Sequence, residues 1–176
     1  MTNFYDLAMR RESCRAYQKG RQVPRDVLAG LVQTAILSPN ASNRQSWRFH
    51  VCTGETAARV AELCMAVPGN NAWAPDCPAF IVISSTVRAS RVKDGQPHDF
   101  PTADAGIAAA YLALAAAEQG LGSCLVGSAD EEGVKQLLGI DPERRVHLIV
   151  AVGYAAQPPK GEKTRLPFDE LCRFYD

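Results

Sequence analysis

Residues 104–119 constrain this chain more than any other stretch, because they are rich in alanine and apolar on nearly every side. Ile107, Tyr111, Leu112 and Leu114 spread over more than one helical face, so a helix here cannot lie on a surface with one side wet. The segment is too short, and too polar at Glu118 and Gln119, to span a bilayer. It must be a helix buried in a core or at a subunit interface, with the other elements layered around it.

The flanking segments supply those layers. Residues 24–37 place Val27, Leu28, Leu31, Val32, Ala35 and Ile36 on one helical face, with Pro24 suited to the first turn. Residues 47–52 and 79–85 are short apolar, β-branched or aromatic runs bounded by turn residues and read as strands. A helix over 56–67 lies between them. After the central helix come a strand near 124–126, a helix around 131–138 and a strand over 146–154. A tail rich in proline, lysine and arginine follows, in which 168–174 forms a last helical turn or two. Nothing divides the sequence by repeat or low-complexity linker, so one domain over residues 1–176 is expected. Helices and strands interleave without a clean βαβ repeat, which predicts an α+β fold, a sheet flanked by helices.

Composition excludes several function classes. Nineteen basic residues balance nineteen acidic ones, so no overall field draws the chain to nucleic acid or an anionic membrane. The N-terminus lacks the basic and apolar regions of a secretory signal, and the expectation is a soluble, cytoplasmic protein. Six cysteines without a C-x-x-C pair and three histidines without ligand spacing argue against a metal site. Reduced, buried thiols are expected instead.

Four motifs could carry chemistry. Arg10-Arg11-Glu12-Ser13-Cys14-Arg15 sets three guanidiniums and a hydroxyl within six residues, the donors a phosphate monoester needs. The plain alternative is a solvated basic helix end. The run from Ser38 through Pro39, Asn40, Ala41, Ser42, Asn43, Arg44, Gln45 and Ser46 to Trp47 passes from a helix end through a polar loop into a strand. Its small and amide side chains can read a heterocycle edge, or simply cap a loop above a core tryptophan. Gly120-Leu121-Gly122 precedes a strand and follows a helix, the reverse of a dinucleotide loop, and Gly161-Glu162-Lys163-Thr164 lacks the glycines of a P-loop. Lys163 and Arg165, two apart in extended chain, would project to one side and could join the N-terminal arginines around a single phosphate. Exposed tail cations are the ordinary alternative.

Taken in order, Arg-x-Ser-x-Arg near the N-terminus, Pro-x-x-x-Asn-x-Gln-x-Trp at a helix-to-strand junction, Asp-x-Gly opening an apolar helix, Gly-Leu-Gly before a strand and Gly-Tyr before a basic tail resemble the nitroreductase family from Phe4 to about Arg165. The resemblance implies FMN held at the interface of an intertwined homodimer, with NADPH or NADH as co-substrate and a small electron acceptor. By position, Arg11, Ser13 and Arg15 match the phosphate-side and ring-edge residues, and Lys163 and Arg165 complete the phosphate shell. Pro39, Asn40, Ala41 and Asn43 match the loop contributed by the partner chain. Asn70 stands where an amide reads the flavin pyrimidine, Asn71 being equally allowed. Val126, Gly127 and Ser128 match the segment under the isoalloxazine.

The chain departs from the family at Glu12, where a small or basic residue is usual, at Ser46, where proline is usual, and over 86–103, where the stretch that commonly builds a substrate lid is short. The cofactor would supply the hard chemistry, so a side-chain nucleophile is not required and none is identified as catalytic. An enzyme acting oxidatively on a specific metabolite and a flavin-binding regulatory or storage protein are the competing readings. Cys14, flanked by arginines, is expected to be a small buried residue rather than a reactive thiolate.

Overall fold

The computed structural model describes residues 3–68, 70–86, 90–91 and 97–175. Four antiparallel strands form the sheet: β1 (Trp47–Thr53), β2 (Ala79–Thr86), β5 (Gly122–Val126) and β6 (Arg144–Gly153), in the order β1-β2-β6-β5. A separate two-stranded ribbon joins β3 (Ser90–Arg91) and β4 (Pro97–His98). Of the stretch expected to form a short lid, 86–103, residues 87–89 and 92–96 lie outside the described residues.

β2 and β6 are the interior strands, and β2 is buried at every position from Ala79 to Ser85. Its residues alternate between two cores, as the pleat requires. Phe80 and Val82 join Ile149 and Ala151 of β6 on one face, covered by α3 (Gly54–Met65) and α5 (Glu131–Leu138). Ile81 and Ile83 join Val150 and Val152 on the other, covered by α2 (Arg25–Ile36) and α4 (Phe100–Glu118). The result is helix, sheet, helix, the α+β architecture expected from sequence.

α4 is the helix whose composition demanded burial. Ala109, Leu112 and Ala116 are fully buried against the sheet, the small side chains letting the helix approach it closely. Its length and mean hydropathy would suit a membrane span, but half of it is buried inside the molecule. It begins four residues before the expected start: the Asp99 carboxylate accepts the Thr102 N–H as an N-cap, and Pro101 occupies the first turn, where a missing N–H costs nothing. β5 and β6 also each start two residues early, at Gly122 and Arg144.

Two short helices lie outside the layers. α1 (Phe4–Arg10) has no buried residue and is capped by Asn3. α6 (Phe168–Leu171) sits in the tail, where Phe168, Leu171, Phe174 and Tyr175 are all exposed.

Candidate functional site

The N-terminal cation motif leaves α1 at Arg10 and continues as extended chain past the start of β5. Ser13 bridges Ser123 in parallel, and the Cys14 N–H donates to the Ser123 carbonyl at 2.9 Å. Tyr17 is buried and donates its hydroxyl to the Cys14 carbonyl at 3.1 Å. The close approach needs Gly122, since a Cβ there would lie 2.7 Å from Cys14 Sγ. Gly120, at φ +72°, turns the chain out of α4. Each glycine of Gly-Leu-Gly therefore has its own physical reason. Cys14 is half-buried rather than buried as expected from sequence, and what burial it has pushes its thiol pKa up.

The tail returns to this segment. Lys163 donates its ammonium to the Arg11 carbonyl, and the Lys160 N–H donates to Glu12 Oε2 at 3.2 Å. Glu12 thus points at the tail and fastens it. Arg11, Lys163 and Arg165 share a cleft of about 690 Å³, whose apolar wall includes Ala110, Ala113, Leu114 and Leu125. Burial and then the charges of Arg11 and Arg165 hold the Lys163 pKa below its usual value, with Glu12 opposing. Among the described residues none of the three cations forms a salt bridge. Ser13 and Arg15 line an adjoining cleft of about 420 Å³ that also takes in Arg11. Burial raises the Cys124 pKa, and the charge of Arg15, a hydrogen bond with Ser13 and the charge of Arg11 offset part of that rise.

At the other end of β5, Asn70 donates from Nδ2 to Ser128 Oγ at 3.4 Å. Asn71, at φ +56°, commits Nδ2 to the carbonyls of Cys64 (3.0 Å) and Ser128 (3.1 Å). Both its amide hydrogens are therefore used. Asn70 is the exposed amide of the pair, which separates two residues that sequence alone left equal. Val126 is buried, Gly127 is exposed and Ser128 lies between them in exposure.

The loop of Pro39, Asn40, Ala41 and Asn43 stands apart from this cluster within one chain. The Ala41 N–H donates to Asp104 Oδ1 at 3.0 Å, and the Gln45 N–H donates to Asn40 Oδ1 at 2.9 Å. Ser42, Asn43 and Gln45 all adopt positive φ, 53°, 50° and 48°. Three such residues in four positions is stored strain, on the order of 1 kcal/mol or more each for those that are not asparagine. Asp104 lies nine residues before Ala113, roughly 13 Å along α4. The N-terminal cluster, the tail and the Asn70–Ser128 contact follow β5, while the strained loop sits beyond the start of α4.

These features are those of one family. The model for the nitroreductase family matches residues 8–68 and 66–154, and the chain belongs to that family and is an oxidoreductase. An Archaeoglobus fulgidus protein with the provisional name NADH dehydrogenase/NAD(P)H nitroreductase is 28% identical, covering 87% of this chain and 83% of its own. The iodotyrosine deiodinase of Thermotoga neapolitana is 25% identical over 100% of this chain and 99% of its own. Among solved structures, a nitroreductase family protein from Clostridium difficile 630 superposes with a TM-score of 0.84 at 25% identity, covering 99% of both chains. An oxidoreductase containing FMN superposes at 0.80 and 25% identity, covering 98% of this chain and 96% of that one. The fold is accordingly that of the nitroreductases.

Proposed function

We propose that this protein is a cytoplasmic, homodimeric enzyme that holds FMN between its chains and uses NADH or NADPH to reduce a nitro compound, a quinone or a similar small acceptor. The observation that carries the reading is the group of Arg11, Lys163 and Arg165 at one apolar cleft. Three cations repelling one another need an anion, and a phosphate monoester offers both the charge and the acceptor oxygens. The apolar wall beside them suits a flat ring. A single such cluster on this path, without a pyrophosphate loop, suits FMN rather than FAD. The six free cysteines fit a reducing compartment.

Arg11, Lys163 and Arg165 would hold the phosphate, and Ser13 and Arg15 would reach along β5 toward the ring. Asn70 would read the pyrimidine edge, with Val126, Gly127 and Ser128 beneath. When bound, FMN supplies the electron chemistry, taking reducing equivalents from the nicotinamide and passing them to the acceptor. The chain's part is to bind, orient and exclude water. Pro39, Asn40, Ala41 and Asn43 would come from the partner chain. Exposed apolar side chains on α4 (Ile107 at 37%, Tyr111 at 38%) and on α1 (Phe4 at 70%, Tyr5 at 72%) support a partner surface there.

Turnover tests the activity. Purified protein should oxidise NADH or NADPH rapidly with a nitroaromatic or quinone present; binding of FMN with no turnover would make it a carrier. The deiodinase relative supports a second acceptor class, halogenated aromatics, and iodotyrosine assayed beside a nitroaromatic separates the two.

Mixed dimers test the shared site. Arg11→Glu and Asn43→Asp homodimers should each bind FMN poorly, one defect lying in every site. Co-refolded in equal amounts, they should recover about a quarter of wild-type sites, since half the dimers are mixed and each carries one intact site. Mere addition of the two parental levels would place both residues within one chain's site.

A further inference from the structure

Beyond the start of α4 lies a second concentration of positive charge that the flavin reading does not use. Arg44, Ser46, Arg48 and Arg144 line a cavity of about 310 Å³, with Pro101 and Asp104 of α4 on its wall. Strand pairing brings these distant residues together. Arg48 pairs with Ser84 on β2, and Arg144 pairs with Thr86 from the strand on the other side of β2.

Arg48 and Arg144 are held by neutral oxygens. Arg144 donates to the Ser46 carbonyl at 2.9 Å and to the Ser84 carbonyl and hydroxyl at 3.3 Å. Arg48 donates to the carbonyls of Trp47 at 2.7 Å and Gln45 at 3.2 Å. Among the described residues neither Arg48 nor Arg144 forms a salt bridge. The carboxylate in the wall, Asp104, is buried and accepts the Ala41 N–H. Ser46 buries its Oγ without a hydrogen-bond partner, an idle donor of a kind that folded proteins seldom leave. Burial, and then the charge of Arg48, lower the Arg144 pKa.

We propose that this cavity binds an oxyanion group, a phosphate ester or a carboxylate, carried by a small molecule, at a site separate from the Arg11 cluster. Braced guanidiniums beside an idle hydroxyl are the donor set such a group takes. Ala41 also lines the cavity. On the reading that its loop reaches a flavin, which this placement alone rests on, the oxyanion would belong to a molecule reacting there. Two sources share the chemistry: the 2′-phosphate of NADPH and the carboxylate of an aromatic acceptor.

Calorimetric titration of the protein as purified distinguishes them, using NADPH against NADH, 4-nitrobenzoate against nitrobenzene, and inorganic phosphate. Wild type should prefer at least one oxyanion probe to its counterpart or, for inorganic phosphate, bind it saturably. Arg48→Gln should weaken that binding roughly 10- to 100-fold and Ser46→Ala roughly 2- to 10-fold, with flavin content unchanged. Loss confined to NADPH identifies the coenzyme, loss confined to 4-nitrobenzoate the acceptor, and loss confined to phosphate a free-anion site. Arg144→Gln and Arg48→Gln also break hydrogen bonds to backbone carbonyls, so each is read beside its thermal stability, and Ser46→Ala, which breaks none, decides. Equal binding of every probe by wild type and both variants overturns the proposal. A fall in flavin content in Arg48→Gln overturns the separateness of the site. A colourless protein would defeat the flavin reading instead, and the phosphate titration could still be run on it.

Discussion

The two cation clusters lie toward opposite ends of α4 and are built in opposite ways. Arg11, Lys163 and Arg165 come from extended segments outside the sheet, joined by the Lys163 and Lys160 hydrogen bonds to residues 11 and 12. Arg48 and Arg144 stand on paired strands and are braced by carbonyls of the same sheet end. The first cluster is joined only through loop and tail segments. The second is preformed, so its ligand gains affinity from geometry already in place. We propose that the larger cofactor sits at this loop-built, adaptable end and a single oxyanion at the rigid, strand-built end.

The sharpest way to break the comparison is to remove charge from the adaptable end. Arg11→Ala should raise the FMN dissociation constant roughly 10- to 150-fold, the value of a charge-assisted bond of about 1.5–3 kcal/mol, and leave the apoprotein folded. Fluorescence titration with FMN checks it, and an unchanged affinity would move the phosphate elsewhere. A second substitution alters position without altering charge. Gly122→Ala should crowd Cys14 and displace Ser13 and Arg15, costing about 1–3 kcal/mol of stability as overpacking does and weakening FMN several-fold. Thermal unfolding with and without FMN measures both. Full FMN affinity in Gly122→Ala would show that the 13–15 segment does not position the site.

The smallest effect concerns the rigid end. His147 sits at a β-bulge, where Ile83 pairs with Leu148 but Ser84 with Val146, and it contacts Ser85 Oγ at 2.6 Å and Thr102 Oγ1 at 3.0 Å. Burial first, and then Arg145, lower its pKa; Asp99 and Glu131 oppose. Burial and then Arg144 lower that of His50, which contacts Ser84 Oγ at 3.0 Å. With folded pKa values below the unfolded one, the unfolded chain binds the extra protons, so this stability is present above about pH 6.5 and is lost as pH falls through the folded values. The melting temperature of the apoprotein should decline from pH 7.5 to 5.5, less steeply in His147→Gln. An identical slope in the variant would detach His147 from the effect.

Much of this molecule is legible in its sequence, for reasons that differ by element. The buried helix and the strands around Ile81 and Val150 announce themselves because both faces are apolar. The early start of α4 is hidden because Pro101 reads as a breaker until the Asp99 cap is seen. α1 escapes notice because it buries nothing. Arg11, Ser13 and Arg15 can be found because they are neighbours in sequence, as can Lys163 and Arg165. Arg48 and Arg144 cannot, since only strand pairing joins segments 98 residues apart, as in the bond from Arg144 to the Ser46 carbonyl. That Asn71 commits its amide to backbone carbonyls while Asn70 stays exposed likewise shows only in the fold.

Arg11, Lys163 and Arg165 are proposed to hold the single phosphate of a flavin. Chromatography of whatever chromophore the purified protein releases on denaturation tests this most directly. The protein should be yellow and release FMN, with the yield falling when Arg11 and Lys163 are both replaced by alanine. A protein that releases FAD, or that stays colourless and cannot be reconstituted with FMN, would contradict it.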